Sequence, residues 1–594
     1  MTGAPKTPTP GKDTLRDFTT TPRILLLSLM AVVTGGFGTA AAWVLLKLIA
    51  VVTNFAYFQT FDTHLPSFSD VSLPAWTIAI PVVGGLIVGL MARFGSDKIR
   101  GHGIPEAIEA ILIGRSRIEP KVAILKPLSS AIAIGSGGPF GAEGPIIMTG
   151  GALGSLFAQM FQLSSPERKT LLVAGAAAGM TAVFNTPIAA ILLAVELLLF
   201  EWKPRSFVPV AVASLVASLL RPLVLGGGAI FPYDGLAIMP WWGLALCAVA
   251  GVVAGLQSAL MTICLYGVED GFRKLPVHWM WWPAIGGIVV GIGGWIDPSI
   301  LGVGYDSIRE LLHSSVGLHA ATSLLIGKMV IWIVALSSGT SGGVLAPLLI
   351  MGGALGAIAA HILPFGDPGF WALIGMTAIL GGTMRAPLTA TMFAVELTGN
   401  MHIMPAVMTA SVAAFVVTVL LMRRSILTER IARRGLHLTR EYTVDPFDVM
   451  RVADIMAKPA DSLSSSITIR EAINFFEHAE EKKRHKSYPV VDDAQRVTGM
   501  ISRADVLRWT REGFDENEKI AGHQHPDTTL IGYSDELVGV LADRMAVANV
   551  GRVPVIDRTT KALVGLVARR DLLRVRAHTF QDERERASSF HFFG

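Results

Sequence analysis

The stretch GSGGPFGAEGPIIMTGGALG, residues 135–154, decides how this chain folds. It combines glycine, proline and apolar residues with a single carboxylate, that of Glu143. A backbone broken by Gly and Pro is tolerated at membrane depth only inside protein or around a wet cavity. Short helices that begin at such turns aim free N–H groups inward and favour an anion. An intramembrane carboxylate indicates a functional site. We predict that Glu143 takes the place of an anion when ionised and leaves it when protonated, as a gate does.

The surrounding chain is apolar over most of its length. It has 594 residues, of which 51% are hydrophobic and only 16% charged, and apolar runs recur from Ile24 to Met422. A spanning helix needs about 20 such residues. The composition predicts an all-α polytopic membrane domain over residues 24–435, after a polar cytosolic leader over residues 1–23. The arginine cluster RRSILTERIARRG, residues 423–435, favours a cytosolic C-terminus.

Two segments of the membrane part occur twice. GPIIMTGGALG at 144–154 matches APLLIMGGALG at 346–356, and both AVEL sequences, at 194–197 and 394–397, follow a proline at the same distance. Internal repeats of this kind are typical of transporters, whose sites lie between the repeats. We therefore predict two repeated halves of inverted topology with broken helices. The alternative is that the glycines only permit close helix packing.

The repeated segments resemble a known family. GHGIPEAIEAIL (101–112), GSGGPFGAEGP (135–145) and GGVLAP (342–347) resemble, in order, the three signature segments of the CLC chloride channels and transporters. GGTMRAPLTATMFAVELTG and SILTERIARRG are also similar to family segments. The resemblance covers residues 20–435, and several ordered segments make it specific. It implies chloride as the transported ion and a homodimer in a lipid bilayer with one pathway per subunit.

The resemblance also implies site residues. Glu143 matches the gating glutamate, and Lys126 matches a basic residue that commonly precedes the second motif. The positions expected to line the anion sites come from three motifs and the last helix: His102, Gly103, Ile104, Gly141, Ala142, Gly144, Gly343, Val344, Leu345 and Leu427.

Several of these positions depart from the family pattern. His102 replaces the usual serine, Ala142 a basic residue, Leu345 a phenylalanine and Leu427 a tyrosine. The position of a second, proton-carrying glutamate in family exchangers is Leu197 here, which argues for a channel.

Two histidine roles stay open at this point. His102 could titrate in the pathway, since an unperturbed imidazole has a pKa of about 6.5, or it could be a neutral residue that fills volume.

Glu196 and Glu396 recur at the same repeat position, which favours a structural pairing role for both.

The tail contains a second repeat. YPVVDDAQRVTGMISRADVLR (488–508) parallels VPVIDRTTKALVGLVARRDLLR (553–574). The pattern resembles a cytosolic α/β pair of tandem CBS domains over residues 451–578, after a linker at 436–450 and before a tail at 579–594. The resemblance implies a regulatory or dimerising role, and an adenine nucleotide at Ser502, Asp505 and Asp571 as one alternative. Ala568 replaces the hydroxyl in the second module.

The sequence thus favours a chloride-selective channel gated by Glu143 and sensitive to pH, multi-pass in the plasma (inner) membrane with both termini cytosolic. The alternatives are a proton-coupled anion antiporter of the same family and, third, a fluoride exporter. We do not expect an enzyme, because the sequence shows no nucleotide-hydrolysis loop, no nucleophile–base pair and no metal cluster. We expect no nucleic-acid partner, because no nucleic-acid motif is present, and no required cofactor. Cys247 and Cys264 lie in one apolar run and indicate small packing residues rather than a disulfide or metal site.

Overall fold

The structure, a computed structural model, describes most of the chain as two units. Contacts divide them between Arg440 and Glu441. The described residues are 22–68, 71–112, 114, 116–199, 201–235, 240–313, 316–363, 365–435, 447, 450–478, 486–523 and 530–577. The predicted leader up to residue 21, most of the predicted linker and the predicted tail lie outside these residues.

Helices make up the first unit, and their order repeats. The first half contains α1 (Arg23–Thr53), α2 (Ala79–Phe94), α3 (Ile104–Leu112), α4 (Pro120–Gly135), α5 (Glu143–Gln159), α6 (Ser165–Phe184), α7 (Pro187–Leu193) and α8 (Pro204–Val224). The second half contains α9 (Gly243–Arg273), α10 (Trp282–Ile296), α11 (Tyr305–His313), α12 (Leu318–Ser337), α13 (Leu345–Ala360), α14 (Pro368–Met384), α15 (Pro387–Thr398) and α16 (Met404–Leu421). Helix α17 (Ile426–Ala432) follows the second half.

Helix length and polarity confirm a membrane domain with broken helices. Within the described residues, seven helical spans are long and apolar enough to cross a bilayer. Three shorter apolar helices are α13, α14 and α7 with its π-helical extension to Leu199. Proline stands in the first turn of α7, α14 and α15, where a missing N–H costs no hydrogen bond. The prolines that looked like breaks in the sequence therefore begin new short helices.

The two halves pack in the same way. Helix α5 packs on α6 as α13 packs on α14, and α1 packs on α6 and α8 as α9 packs on α14 and α16. Helices α6 and α14 are the interior ones: the segments Thr170–Phe184 and Gly369–Met384 are buried throughout. Both are rich in Gly and Ala, which lets neighbouring backbones approach closely.

The second unit contains two small three-stranded sheets, as the CBS resemblance predicts. The first sheet has the order β1 (Leu463–Ser464), β2 (Ser487–Val491), β3 (Val497–Ser502), and the second the order β4 (Gly532–Tyr533), β5 (Arg552–Ile556), β6 (Leu563–Ala568). In each sheet the first pair is parallel and the second antiparallel.

Helices accompany each of these sheets. They are α18 (Val452–Ile455), α19 (Ile469–His478), α20 (Arg503–Glu512) and α21 (Val538–Val547), and residues 569–577 are also helical. Val452 and Met456 pack in the core of the second module, and Ala457 pairs with Leu566. The segment that precedes the first module in sequence thus completes the second one.

Candidate functional site

The second and third signature loops are joined backbone to backbone. The Gly141 N–H donates to the Gly343 carbonyl (3.1 Å) and the Gly343 N–H donates to the Gly141 carbonyl (2.8 Å). Helix α5 begins two residues after the first of these glycines, and α13 two residues after the second. The N-termini of two helices, one from each half, therefore meet at a single bridge, as the repeat predicts.

The first signature loop joins the same assembly. The Gly101 N–H donates to the Thr340 carbonyl (3.2 Å), and Gly101 pairs with Ser341 in parallel. Gly144 lies directly against the His102 backbone: a Cβ at Gly144 would stand 1.8 Å from the His102 carbonyl oxygen. Only glycine permits this approach. The structure thus brings the three motifs together, although about 200 residues separate the second and third in sequence.

Glu143 lies at the centre of this assembly. Its side chain is fully buried, at 0% exposure; among the described residues no cation pairs with the carboxylate, which interacts with the backbone N–H groups of Glu143 itself and of Ala346. Its Oε2 atom stands over the Gly141 and Gly343 backbones, 1.8 and 2.7 Å from the positions that a Cβ would take. The carboxylate therefore fills the space between two helix N-termini, where an anion would be favoured.

His102 is buried, at 2% exposure, and its Nδ1 atom has no hydrogen-bond partner. Charged groups surround its loop. Glu106 accepts the Gly103 N–H (2.9 Å) and lies 3.4 Å from the Arg430 guanidinium. Lys126 donates to the carbonyls of Ile99 (2.9 Å) and Gly101 (2.7 Å). Lys126 therefore holds the loop backbone in place rather than pointing at an anion.

The remaining predicted lining residues that carry side chains are apolar and buried. Ala142, Val344 and Leu345 are buried beside the Gly141–Gly343 bridge, and Ile104 begins α3. Leu427 is fully buried in α17, which packs on α3. A phenol lies close to it: the Tyr266 hydroxyl donates to the Ile426 carbonyl (2.5 Å). Because the Tyr266 hydroxyl already donates its hydrogen to this carbonyl, it is not free to donate to an anion in place of the tyrosine that the resemblance expects at position 427.

Position 197, where the sequence predicts that a proton-carrying glutamate is missing, is buried. Leu197 is fully buried in the π-helical extension of α7. The neighbouring Glu196 turns away to the other half of the molecule and accepts the Thr389 N–H (2.9 Å). Glu396 does the reverse and accepts the N–H groups of Ile188 (2.9 Å) and Ala189 (2.8 Å).

One further repeat could have been found from the sequence but was missed. The segment GVG at 302–304 corresponds to GHG at 101–103. The two segments are 201 residues apart (302 − 101). Gly302 and Gly304 have positive φ, as Gly101 and Gly103 do. Lys328 is fully buried and donates to the Gly302 carbonyl (3.0 Å), just as Lys126 does to Gly101. The offset between the other repeats was the available signal.

In the second unit, the predicted nucleotide residues cap helices. The Ser502 N–H (2.9 Å) and hydroxyl (2.6 Å) both donate to Asp505 at the start of α20. Asp571 accepts the Ala568 N–H (2.8 Å) at the corresponding place in the second module. These bonds satisfy the motif as a capping box without a ligand.

Comparison with known proteins decides the family. Residues 83–419, more than half of the chain, match the sequence model described as voltage gated chloride channel. The chain belongs to this CLC family. Residues 452–512 and 533–578 match the CBS domain.

Relatives agree with this assignment. The CLC protein described here is 29% identical over 375 residues to the voltage-gated ClC-type chloride channel ClcB of Shigella flexneri, a match that covers 61% of this chain and 89% of that protein. The homologous protein of Escherichia coli strain SMS-3-5 gives the same identity and coverage.

Solved structures share the fold. A slow cyanobacterial Cl⁻/H⁺ antiporter matches with a TM-score of 0.61 and 21% identity, over 70% of this chain and 99% of that one. A CLC-type fluoride/proton antiporter matches with a TM-score of 0.58 and 19% identity, over 67% and 97%. A eukaryotic CLC transporter matches over 92% of this chain and 97% of that one, with a TM-score of 0.56 and 18% identity.

Proposed function

We propose that this CLC protein is a passive, chloride-selective pathway gated by Glu143. The observation that carries the proposal is the position of the Glu143 carboxylate, fully buried between Gly141 and Gly343 and facing backbone N–H groups, with no cation paired to it among the described residues. A buried charge without an opposite charge is costly. Protonation removes that charge, and rotation of the neutral side chain frees the two helix N-termini for chloride. The pathway then opens as the pH falls.

The passive mechanism is supported by position 197, where the resemblance expects family exchangers to carry a second, proton-carrying glutamate. A proton antiporter needs a second group to pass protons between Glu143 and the cytosol. Leu197 is an apolar side chain with no exposed surface, and Glu196 is committed to Thr389. A channel needs no such group.

Proton-coupled antiport is the second candidate. It is favoured by the two titratable side chains buried beside the first signature loop, His102 and Glu106, and by the Cl⁻/H⁺ antiporter among the proteins of the same fold. In that mechanism His102 and Glu106 would replace the missing glutamate.

One experiment separates the two candidates. The purified protein is placed in liposomes with a chloride gradient, and chloride efflux and proton uptake are recorded together. We expect chloride flux without uphill proton movement. Protons driven against their gradient by chloride would overturn the passive mechanism. The same liposomes with fluoride as the only permeant anion test the fluoride alternative, for which a fluoride flux above the chloride flux is required.

We also propose a homodimer with one pathway per subunit, in the inner membrane with both termini cytosolic. Large apolar side chains of α8 and α16 are exposed in the single chain, including Leu219 (76%) and Leu420 (78%). Lipid or a second subunit would cover them. The molar mass of the detergent-solubilised protein tests the dimer, and protease access to inside-out vesicles tests the orientation.

A further inference from the structure

A basic cavity lies beside the first signature loop, and the gate mechanism does not use it. It is found at the side of the membrane unit where α17 ends. The space between its walls, including the part open to solvent, is about 800 Å³. The charged and aromatic residues that line it are five arginines, one carboxylate and two tryptophans: Arg100, Arg273, Arg430, Arg433, Arg434, Glu269, Trp279 and Trp282.

Four of the five arginines have carboxylate partners. Arg273 pairs with Glu269 (2.6 Å) and Arg433 with Asp270 (2.5 Å). Glu106 and Glu109 pair with the remaining two, Arg430 and Arg434, and Glu429 adds a second contact to Arg433. Most of the positive charge in the cavity is therefore compensated by carboxylates. The one arginine without such a partner indicates which kind of ligand the cavity would bind.

Arg100 is that arginine. Among the described residues it makes no ion pair within 4 Å, and its Nε atom is buried without a hydrogen-bond partner. Its guanidinium carbon lies 4.4 Å from the centre of the Trp279 ring. The Trp279 ring attracts the guanidinium charge through a cation–π contact. It does not accept a conventional hydrogen bond from any of the five guanidinium N–H groups. A buried donor without an acceptor is costly, so the cavity lacks one acceptor group.

Arg430 lines the same cavity. Its guanidinium lies over Gly101, where a Cβ would stand 1.9 Å from Nη1, so only glycine leaves room for it. Arg100 lies in the same way against Gly339. Because the Gly101 N–H bonds to Thr340, these two turns are neighbours and bring two like charges to one cavity. Arg430 has Glu106 within ion-pair distance, whereas Arg100 has no carboxylate that close among the described residues.

The missing acceptor is best matched by a phosphate group. Chloride is a single spherical acceptor and cannot match a pair of parallel N–H bonds with two oxygens. Guanidinium groups present pairs of N–H bonds that match two oxygens of one phosphate. A phosphate group, with two or more free oxygens and a negative charge, would accept from Arg100 and Arg430 at once and offset their mutual repulsion.

We propose that this cavity is a binding site for a phosphate-bearing anion, held by Arg100 and Arg430. The phosphate comes either from a soluble phosphate compound or from a lipid headgroup. A bound phosphate group next to Gly101 also places negative charge beside the His102 loop and repels chloride there, so occupancy lowers chloride flux. This last step rests on the proposed chloride transport, whereas binding does not.

The test uses the full chain in nanodiscs of neutral lipid, with pyrophosphate as the probe and sulfate-free buffer of constant ionic strength. Binding is measured by calorimetry for the wild type, for Arg100→Lys and for Arg309→Lys. Arg100→Lys keeps the charge but loses the paired donors. Arg309 pairs with Asp306 outside the cavity (2.8 Å), so Arg309→Lys is the matched control. Losing a charge-assisted hydrogen bond should weaken binding about tenfold in Arg100→Lys, with no change in the control.

The outcomes separate the two sources of phosphate. Pyrophosphate binding that Arg100→Lys weakens supports a soluble ligand, and it should be accompanied by reduced chloride flux in liposomes. If pyrophosphate does not bind, nanodiscs with phosphatidylglycerol are examined by native mass spectrometry. Lipid retained by the wild type and lost in Arg100→Lys supports a headgroup site. Binding that is equal in all three proteins, or absent with both probes, overturns the proposal. Binding without an effect on flux in a protein that transports chloride overturns only the inhibitory step.

Discussion

Glu196 and Glu396 each cap a helix in the opposite half of the molecule. Glu396 accepts two N–H groups at the start of α7, and Glu196 accepts the N–H (2.9 Å) and hydroxyl of Thr389 at the start of α15. These donors are among the free N–H groups that every helix leaves at its N-terminus. The sequence predicted a structural role for the pair, and the exchange of caps provides one.

Loss of this cap should destabilise the membrane unit. Glu396→Ala leaves the N–H groups of Ile188 and Ala189 without their acceptor, and we expect a loss of about 2 kcal/mol. The measurement is the thermal midpoint in detergent, followed by size-exclusion chromatography. Glu396→Gln keeps one acceptor oxygen and should recover part of the loss. Glu310→Ala, on an exposed face of α11, is the control. Equal midpoints for Glu396→Ala and the control would contradict the capping role.

Neutralising the gate should open it. In Glu143→Gln the side chain cannot ionise, so we expect a higher chloride flux at neutral pH and little change as the pH is lowered. In the wild type the flux should rise as the pH falls, because protonation of Glu143 frees the site. Flux is measured in liposomes over a range of pH, with Glu310→Gln as the control for the same chemical change. A wild-type pH profile in Glu143→Gln would show that another group is the gate.

His102 should contribute no second titration. Its imidazole is buried in a loop held by the Lys126 ammonium and covered by the Arg430 guanidinium. Burial and both cations oppose an imidazolium, and the favourable Glu106 carboxylate is shared with Arg430. In a Glu143→Gln background we therefore expect flat flux between about pH 5 and 8, the range in which histidine titrates.

The double variant Glu143→Gln, His102→Ser decides the point. A pH dependence that remains in Glu143→Gln and disappears in the double variant would mean that His102 titrates. It would also strengthen the antiport candidate. His313→Ser, at an exposed position of α11, controls for the loss of a histidine elsewhere.

The CBS pair offers a separate prediction. Asp505 accepts from both the N–H and the hydroxyl of Ser502, whereas Asp571 accepts only the Ala568 N–H among the bonds at its cap. We expect Asp505→Ala to destabilise its module by about 1 kcal/mol without any ligand. Hydrogen exchange in α20 of the full chain measures this, with Asp571→Ala for comparison.

The adenine nucleotide site stays a prediction and is tested in the same way. Protection of α20 by millimolar ATP in the wild type, lost in Asp505→Ala, would support it, since a ligand that binds the folded state stabilises it. Unchanged exchange with ATP would leave Ser502 and Asp505 with the capping role alone.

The membrane fold and the assembly of its loops could be predicted because both follow from local signals. Apolar runs define the spans, and the Gly–Pro turns at 135–145 and 342–347 mark the broken helices. The closeness of Glu143 to Gly343 followed from the repeat. The capping partners Ile188 and Glu396 could not be found, because a sequence separation of 208 residues has no local pattern.

Arg100 shows the other limit of the sequence. It precedes the first motif and belongs to no repeat, so nothing in the residue order distinguishes it from any other arginine near a membrane. Its position over Trp279 depends on the packing of α9, α10 and α12 around the loop. A side chain that lacks a partner can be recognised only when every neighbour is in place.

The Gly141–Gly343 bridge limits how the molecule can move. Its two hydrogen bonds cross the boundary between the halves beside Glu143, and the exchanged caps of Glu196 and Glu396 cross it again. Transporters with repeated halves often work by rocking one half against the other to alternate access to the site. Here such rocking would break backbone hydrogen bonds between buried groups of the two halves. We expect the backbone to keep its position during transport. Rotation of the Glu143 side chain would then replace the rigid-body movement of a whole half by which other transporters with repeated halves work.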